Sequence, residues 1–291
     1  MTEPLLAAAI AAAGAVVLTP ATATAGRALG LVDRPDGTEL KIHAAAVPVT
    51  GGVAIVVSVM IAARLSGSAP PLGLTLGALL GLALGLRDDV SALAPSLWIA
   101  ALAAIGLLLA VTGGGSFGIA VVTVAATIGI PNGVNLIDGQ DGLAGAVASA
   151  AAAGLAIALW RAGDTAGVTA AALAGALLGF LVWNRPPARV FLGNGGAYAV
   201  GVLLAWSTVR LVAIEGWAGA AAAALCLTVI GADVATTVLR RWAARRPIAA
   251  GDRDHLYDRV AARHGRAGSL GLFAAASIVT AASGVLVAVK G

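Results

Sequence analysis

The chain has 291 residues, 59% of them hydrophobic and only 11% charged, with a formal net charge of +4. Soluble domains carry about 25% charged residues, so this composition excludes a water-soluble globular fold and points to an integral membrane protein. The basic residues stand in short loops between apolar runs, which is a membrane pattern and excludes nucleic acid as a partner. Cys226, the only cysteine, lies inside the apolar run Ala220–Ile230, so neither a disulfide framework nor a thiolate metal cluster is available.

A helix needs about 20 apolar residues to cross a hydrocarbon core, where backbone groups must bond internally. Ten runs meet or approach that length. They are Leu5–Ala25, Gly51–Leu65, Pro71–Leu86, Leu97–Val111, Phe117–Ile130, Leu143–Trp160, Gly167–Trp183, Gly195–Ile214, Trp217–Leu239 and Ser269–Val289. The first lacks a basic leader and other spans follow it, so it reads as a span rather than a cleaved signal peptide; Thr19-Pro20 is a candidate kink within it. The expected fold is all-α, a polytopic integral membrane bundle of ten transmembrane helices forming one domain over residues 1–291.

The loops fall into two sets of unequal charge. One holds Arg27, Arg34, Lys41, Arg87, Arg185, Arg189, Arg240, Arg241, Arg245, Arg246, Arg253, Arg259, Arg263 and Arg266, which is 14 of the 18 basic residues; Arg64, Arg161, Arg210 and Lys290 make up the other four. By the positive-inside rule the first set is cytoplasmic and both termini lie across the membrane. Ten of the 14 acids share the basic side: Asp33, Asp36, Glu39, Asp88, Asp89, Asp138, Asp141, Asp252, Asp254 and Asp258. The positive-inside rule accounts for the arginines but not for these acids, which mark a candidate active site at the cytoplasmic face of a plasma-membrane protein.

Five segments carry candidate chemistry. The first loop supplies Asp33, Lys41 and His43, followed by Pro48 and Gly51-Gly52; Lys41 and His43 suit phosphates or anionic head groups, or are solvated boundary residues. Asp88-Asp89 closes the third span, where adjacent carboxylates can hold a divalent cation or take a proton, or can cap the next helix. The stretch 131–144 reads as a loop in which Asn132, Asn135, Asp138 and Asp141 combine with three glycines; a spacing of three places both acids on one face of a helical turn. Asn184 and Asn194 flank a Pro/Gly-rich connector that alone carries little information. The last basic loop, Arg240 to Gly268, reads as a topology signal or a lipid head-group contact, and with Arg253, His255 and three Asp it also suits a diphosphate nucleotide. Asp233, inside the ninth span, is a functional candidate by default, with pairing to Arg240 or Arg241 as the structural alternative.

Taken in order, Asp33…Lys41-x-His43…Pro48…Gly51-Gly52, Leu84-Gly85-x-x-Asp88-Asp89, Asn132-x-x-Asn135-x-x-Asp138-Gly-x-Asp141-Gly-Leu, Trp183-Asn184…Gly193 and Arg253-x-His255 resemble the polyprenyl-phosphate N-acetylhexosamine-1-phosphate transferases, the superfamily that includes the phospho-N-acetylmuramoyl-pentapeptide transferases. The resemblance runs from about Asp33 to Arg263. It implies attack by a polyprenyl phosphate on the β-phosphorus of a UDP-sugar, giving polyprenyl-diphosphate-sugar and UMP, with Mg2+, or Mn2+ in its place, as cofactor. Asp88, Asp89, Asp138 and Asp141 are then the catalytic candidates. Lys41, His43, Asn132, Asn135, Asn184, Arg253 and His255 are the substrate-binding candidates, and Asn194 and Asp89 the metal ligands. The implied partners are polyprenyl phosphate, a UDP-sugar and the lipid bilayer, with a homodimer allowed and no nucleic acid.

The chain departs from the family pattern at three places. Gly193-Asn194-Gly195-Gly196 stands where Gly-Asp-x-Gly is usual, replacing a charged magnesium ligand by a neutral amide. His255-Leu256-Tyr257-Asp258 keeps one histidine of a His-rich segment, and Val49 follows Pro48 where an arginine is common. These departures keep a weak or inactive paralogue in view. A transporter fits less well, because transporter sites lie near the bilayer midplane.

Overall fold

The computed structural model describes residues 2–35, 45–247 and 252–288. Within them α1 (Thr2–Ala28) is followed by a minimal antiparallel pairing of β1 (Val32–Asp33) with β2 (Val47–Pro48). The rest is helical: α2 (Gly51–Leu65), α3 (Leu72–Val90), α4 (Pro95–Gly113), α5 (Phe117–Ile137), α6 (Leu143–Arg161), α7 (Ala166–Asn184), α8 (Gly193–Cys226), α9 (Thr228–Ala243) and α10 (Leu256–Ala288). Seven of these, α1, α4, α5, α6, α7, α8 and α10, are long and apolar enough to cross a bilayer, and α2 is a shorter apolar helix. The all-α polytopic membrane architecture stands.

The helices α6 and α7 and the first half of α8 form the buried centre, while α1, α4 and α10 leave much of their apolar surface exposed, including Val17, Val111 and Val279. Such surface is stable only against lipid. Small residues let the central backbones meet: a Cβ on Gly175 or Gly179 of α7 would fall 2.0 Å from Ala8 O or 2.2 Å from Ala12 O of α1, one turn apart on each helix. Several hydroxyls inside the bundle bond to carbonyls, as Ser149 Oγ does to Ala174 O at 3.0 Å and Ser277 Oγ to Val147 O at 3.1 Å. α1 continues through Pro20. A helical proline frees the carbonyl four residues earlier, and here Trp183 Nε1 donates to that carbonyl, Val16 O, at 2.9 Å.

Two boundaries differ from the sequence reading. Helix α5 runs through Pro131 to Ile137, so Asn132 and Asn135 are helical and the loop shrinks to 138–142. Pro131 is accommodated against Gly201 of α8, where a Cβ would lie 2.2 Å from the Pro131 Cα. The turn of α8 at Gly216 (φ 55, ψ −127) falls where the sequence reading separated two spans, but the run Trp217–Leu239 is itself two pieces, because α8 ends at Cys226 and α9 restarts after Leu227. The last span starts after Gly265 (φ 73, ψ 165), in keeping with the expected start near Ser269, and a short helix at 256–264 precedes it. A hydropathy window registers neither a positive φ nor a proline tolerated by packing.

Candidate active site

The ends of α3, α5 and α7 meet the starts of α6 and α8 beside the β1–β2 pair, enclosing a cavity of about 660 Å3. Its walls include Asp33, Asp88, Asp89, Asp138, Gly139, Gln140, Asp141, Asn184, Asn194, Arg253 and Arg266. Close approach of α3 to α8 depends on Gly85, where a Cβ would come within 2.2 Å of the Asn194 backbone. That approach delivers the acid pair, still helical, to the first turn of α8.

Asp89 accepts from the backbone N–H of Asn194 at 3.0 Å through Oδ1 and from that of Gly195 at 3.3 Å through Oδ2. It therefore caps α8 across the chain, meeting two of the orphan donors of a helix N-terminus with a negative charge. Asp88 is held at both oxygens: Oδ1 accepts from Leu93 N at 2.7 Å, and Oδ2 from Asn194 Nδ2 at 3.0 Å and Tyr198 OH at 3.5 Å. Asn194 and Tyr198 are four apart on α8 and so share a face. Asn194 thus presents its amide N–H2 to a carboxylate.

Asp138 and Asp141 occupy the turn between α5 and α6. Asp141 Oδ2 accepts from Ala188 N at 2.9 Å. Burial pushes the Asp138 carboxyl well above the usual carboxylate range, and the charges of Asp89 and Asp141 push it the same way; among the described residues no hydrogen-bond donor reaches it. A half-buried carboxylate on a cavity wall without a donor, facing two like charges, is an arrangement that a cation relieves. The neighbouring Asn184 is 3% exposed, with Oδ1 accepting from Gly142 N at 3.0 Å and Nδ2 donating to Val190 O at 2.9 Å. Its amide is committed to joining the α7–α8 connector to the acid turn.

The loop from α9 to α10 is organised by ion pairs. Asp252 takes Arg240 at 2.8 Å and Arg241 at 3.1 Å. Asp233, fully buried, accepts from Leu256 N at 3.0 Å and meets His255 Nδ1 at 2.8 Å. Asp233 therefore pairs with His255, while Arg240 and Arg241 both reach Asp252. Arg253 reaches the cavity, donating to Gly139 O at 2.8 Å and pairing with Asp258 at 3.0 Å.

The structure gathers Asp88, Asp89, Asp138, Asp141, Asn184, Asn194 and Arg253 around one cavity. Asn132, Asn135 and His255 are not among its walls: Asn132 Nδ2 bonds Ile128 O within α5 at 2.7 Å, and His255 is 4% exposed beneath the loop. Lys41 and His43 lie outside the described residues. The sequence reading passed over Tyr198, Gln140 and Arg266. Tyr198 had a legible signal, a polar aromatic one turn beyond Asn194, whereas Gln140 and Arg266 had none.

No group of three His, Cys, Asp or Glu among the described residues is close enough to hold a metal ion alone. Mg2+ is commonly held by one or two carboxylates, with water and substrate phosphate completing its shell. The donor-free Asp138 beside Asp89 and Asp141 fits such a substrate-completed site.

A bundle of long apolar helices with an acidic cavity at one end, lined also by Arg253 and Arg266, defines a polytopic membrane protein with a polar site at the end of its bundle. The model of glycosyl transferase family 4 matches residues 71–212. The chain is 33% identical to a phospho-N-acetylmuramoyl-pentapeptide-transferase of Shouchella clausii, over 66% of this chain and 70% of that protein. It is 24% identical to a probable undecaprenyl-phosphate N-acetylglucosaminyl 1-phosphate transferase of Bacillus subtilis, over 85% and 74% respectively. An undecaprenyl-phosphate alpha-N-acetylglucosaminyl 1-phosphate transferase of Thermotoga maritima is 32% identical over 64% of this chain and 58% of its own. The chain belongs to glycosyl transferase family 4.

Proposed function

We infer that this protein transfers a sugar-1-phosphate from a UDP-sugar to polyprenyl phosphate, giving polyprenyl-diphosphate-sugar and UMP, a step in making lipid-linked intermediates of the cell envelope. The observation that carries this reading is the convergence of Asp88, Asp89, Asp138 and Asp141 on one cavity at one end of a membrane bundle, in a chain whose relatives are named for such transfers. A lipid acceptor arrives from the bilayer and a nucleotide donor from water, and only a site at the membrane boundary meets both. The excess of arginine on that side favours the cytoplasmic face.

An oxygen of the acceptor phosphate forms a bond to the β-phosphorus of the donor as the bond to the UMP oxygen breaks. Asp88, fixed by Leu93, Asn194 and Tyr198, aligns the acceptor head group or receives its proton. Asp89 keeps the first turn of α8 against α3. Asp138 and Asp141, the former with an open carboxylate, would hold Mg2+ or Mn2+, which would supply positive charge to offset that of the diphosphate. Arg253, braced by Gly139 and Asp258, contributes positive charge at the wall. The donor is an N-acetylhexosamine nucleotide on this reading, since such sugars recur in the names of the relatives.

One observation favours a second reading, a paralogue with weak chemistry: Asn194 brings an amide, not a charge, to the acid pair. The two readings part on label transfer. Protein in detergent micelles, given radiolabelled UDP-N-acetylhexosamine, polyprenyl phosphate and Mg2+, should move label into an organic-extractable lipid. Retained donor binding without label in the lipid would favour the weak paralogue.

A further inference from the structure

Among the described residues the cavity walls hold five carboxylates, Asp33, Asp88, Asp89, Asp138 and Asp141, against two cations, Arg253 and Arg266. A ligand bearing phosphate needs positive charge there, and the two arginines are not equally available. Arg253 is engaged by Gly139 O and Asp258. Nearby arginines outside the cavity are also engaged, Arg259 by Asp254 and Arg240 by Asp252. Arg266 is exposed, lines the cavity and has no ion pair among the described residues.

Its backbone is placed with care. Gly265, at φ 73 and ψ 165, breaks α10 immediately before it, a conformation that side chains other than glycine rarely adopt. The carbonyl of Arg266 then accepts from Gln140 Nε2 at 2.9 Å. Gln140 is 6% exposed and sits between Asp138 and Asp141, so one hydrogen bond ties the acid turn to the break in α10. The residue that fills the open position of the Asp138-Gly-x-Asp141 pattern therefore sets the distance between the carboxylates and the uncommitted cation.

We propose that Arg266 is an anion-binding residue of this cavity, taking a phosphate oxygen of an incoming substrate, and that Gln140 is the positioning residue that holds it opposite Asp138 and Asp141. The guanidinium offers a planar pair of donors suited to phosphate. This rests on the transferase reading above. The phosphate belongs either to the nucleotide diphosphate or to the lipid acceptor, whose chain can approach beside the exposed start of the apolar part of α10.

Binding of UDP, uridine and a short-chain polyprenyl phosphate to the full-length protein in detergent, measured by titration calorimetry, separates these cases. Arg266→Ala should weaken either UDP or the polyprenyl phosphate about tenfold or more, as loss of a charged hydrogen bond does, and leave uridine unchanged. Arg266→Lys should fall between the two, and Arg263→Ala, an exposed arginine away from the cavity, should match wild type. Gln140→Leu should weaken the same ligand by a smaller factor and raise its KM more than it lowers kcat. Loss confined to UDP identifies the donor phosphate, and loss confined to the lipid identifies the acceptor. Arg266→Ala indistinguishable from Arg263→Ala on both ligands, or equal losses on all three, would overturn the proposal. Wild type that binds neither phosphate ligand would remove the transferase reading and this inference with it.

Discussion

Asn194→Asp tests the electrostatics of the cavity most sharply. Asn194 Nδ2 lies 3.0 Å from Asp88 Oδ2, so the substitution exchanges a hydrogen bond for two carboxylate oxygens at that separation. Two unit charges 3 Å apart at an effective dielectric constant near 20 repel by about 5 kcal/mol, an upper bound that solvent reduces. A divalent cation that relieved a third of this would bind about tenfold more tightly, since a factor of ten corresponds to about 1.4 kcal/mol. Manganese affinity of the substrate-free protein, read by electron paramagnetic resonance, should therefore rise at least tenfold in the variant. Its melting temperature in EDTA should drop below that of wild type and recover on addition of Mg2+. Manganese affinity within twofold of wild type, with a melting temperature insensitive to EDTA, would refute the geometry described for the acid pair.

Other consequences follow from single contacts. Asp88→Asn should cut lipid-dependent UMP release about a hundredfold or more, on the scale of losing one charge-stabilising group, while circular dichroism stays unchanged. Asp138→Asn should do the same and also abolish metal binding in the calorimeter. Asn184→Leu strands the Gly142 N–H and the Val190 carbonyl in a buried site; each orphaned group costs about 1–3 kcal/mol, so unfolding in mixed micelles should show a loss of about 2–6 kcal/mol. Burial would raise the Asp252 carboxyl, but hydrogen bonds from Arg240 and Arg241 outweigh it and hold the group well below its ordinary 3.8. Because the folded state ionises Asp252 more readily than the unfolded one, its stabilisation is complete above pH 3.8 and fades as pH falls through the folded value. Hydrogen exchange at 252–256, corrected for intrinsic rate, should rise in that acid range, and Asp252→Asn should remove the dependence.

Much of the bundle was legible because lipid imposes a simple rule. Apolar runs must be helices of a given length, and Gly51–Leu65 emerged with the same bounds as α2 for that reason. What escaped was local backbone geometry. Pro131 looks like a loop signal until Gly201 is packed against it, and nothing in the run Trp217–Leu239 announces the break after Cys226. The acids of the cavity were legible as types and positions, since carboxylates at the end of an apolar run have few structural uses. Their partners were not. Asp233 and His255 are 22 residues apart and meet only because the α9–α10 loop returns over the helix end. Asn184 reads as a substrate-binding amide, but its donor and acceptor are both consumed by the backbone it joins.

The central claim is that the acidic cavity carries out phosphosugar transfer to a lipid phosphate. UMP release by the purified protein, supplied with undecaprenyl or decaprenyl phosphate and a panel of UDP-N-acetylhexosamines and UDP-MurNAc-pentapeptide, with and without Mg2+, tests it directly. The account predicts release that requires the lipid, responds to one donor above the rest and disappears in Asp88→Asn. No lipid-dependent release from wild type with any donor, or release that survives in Asp88→Asn, would contradict it.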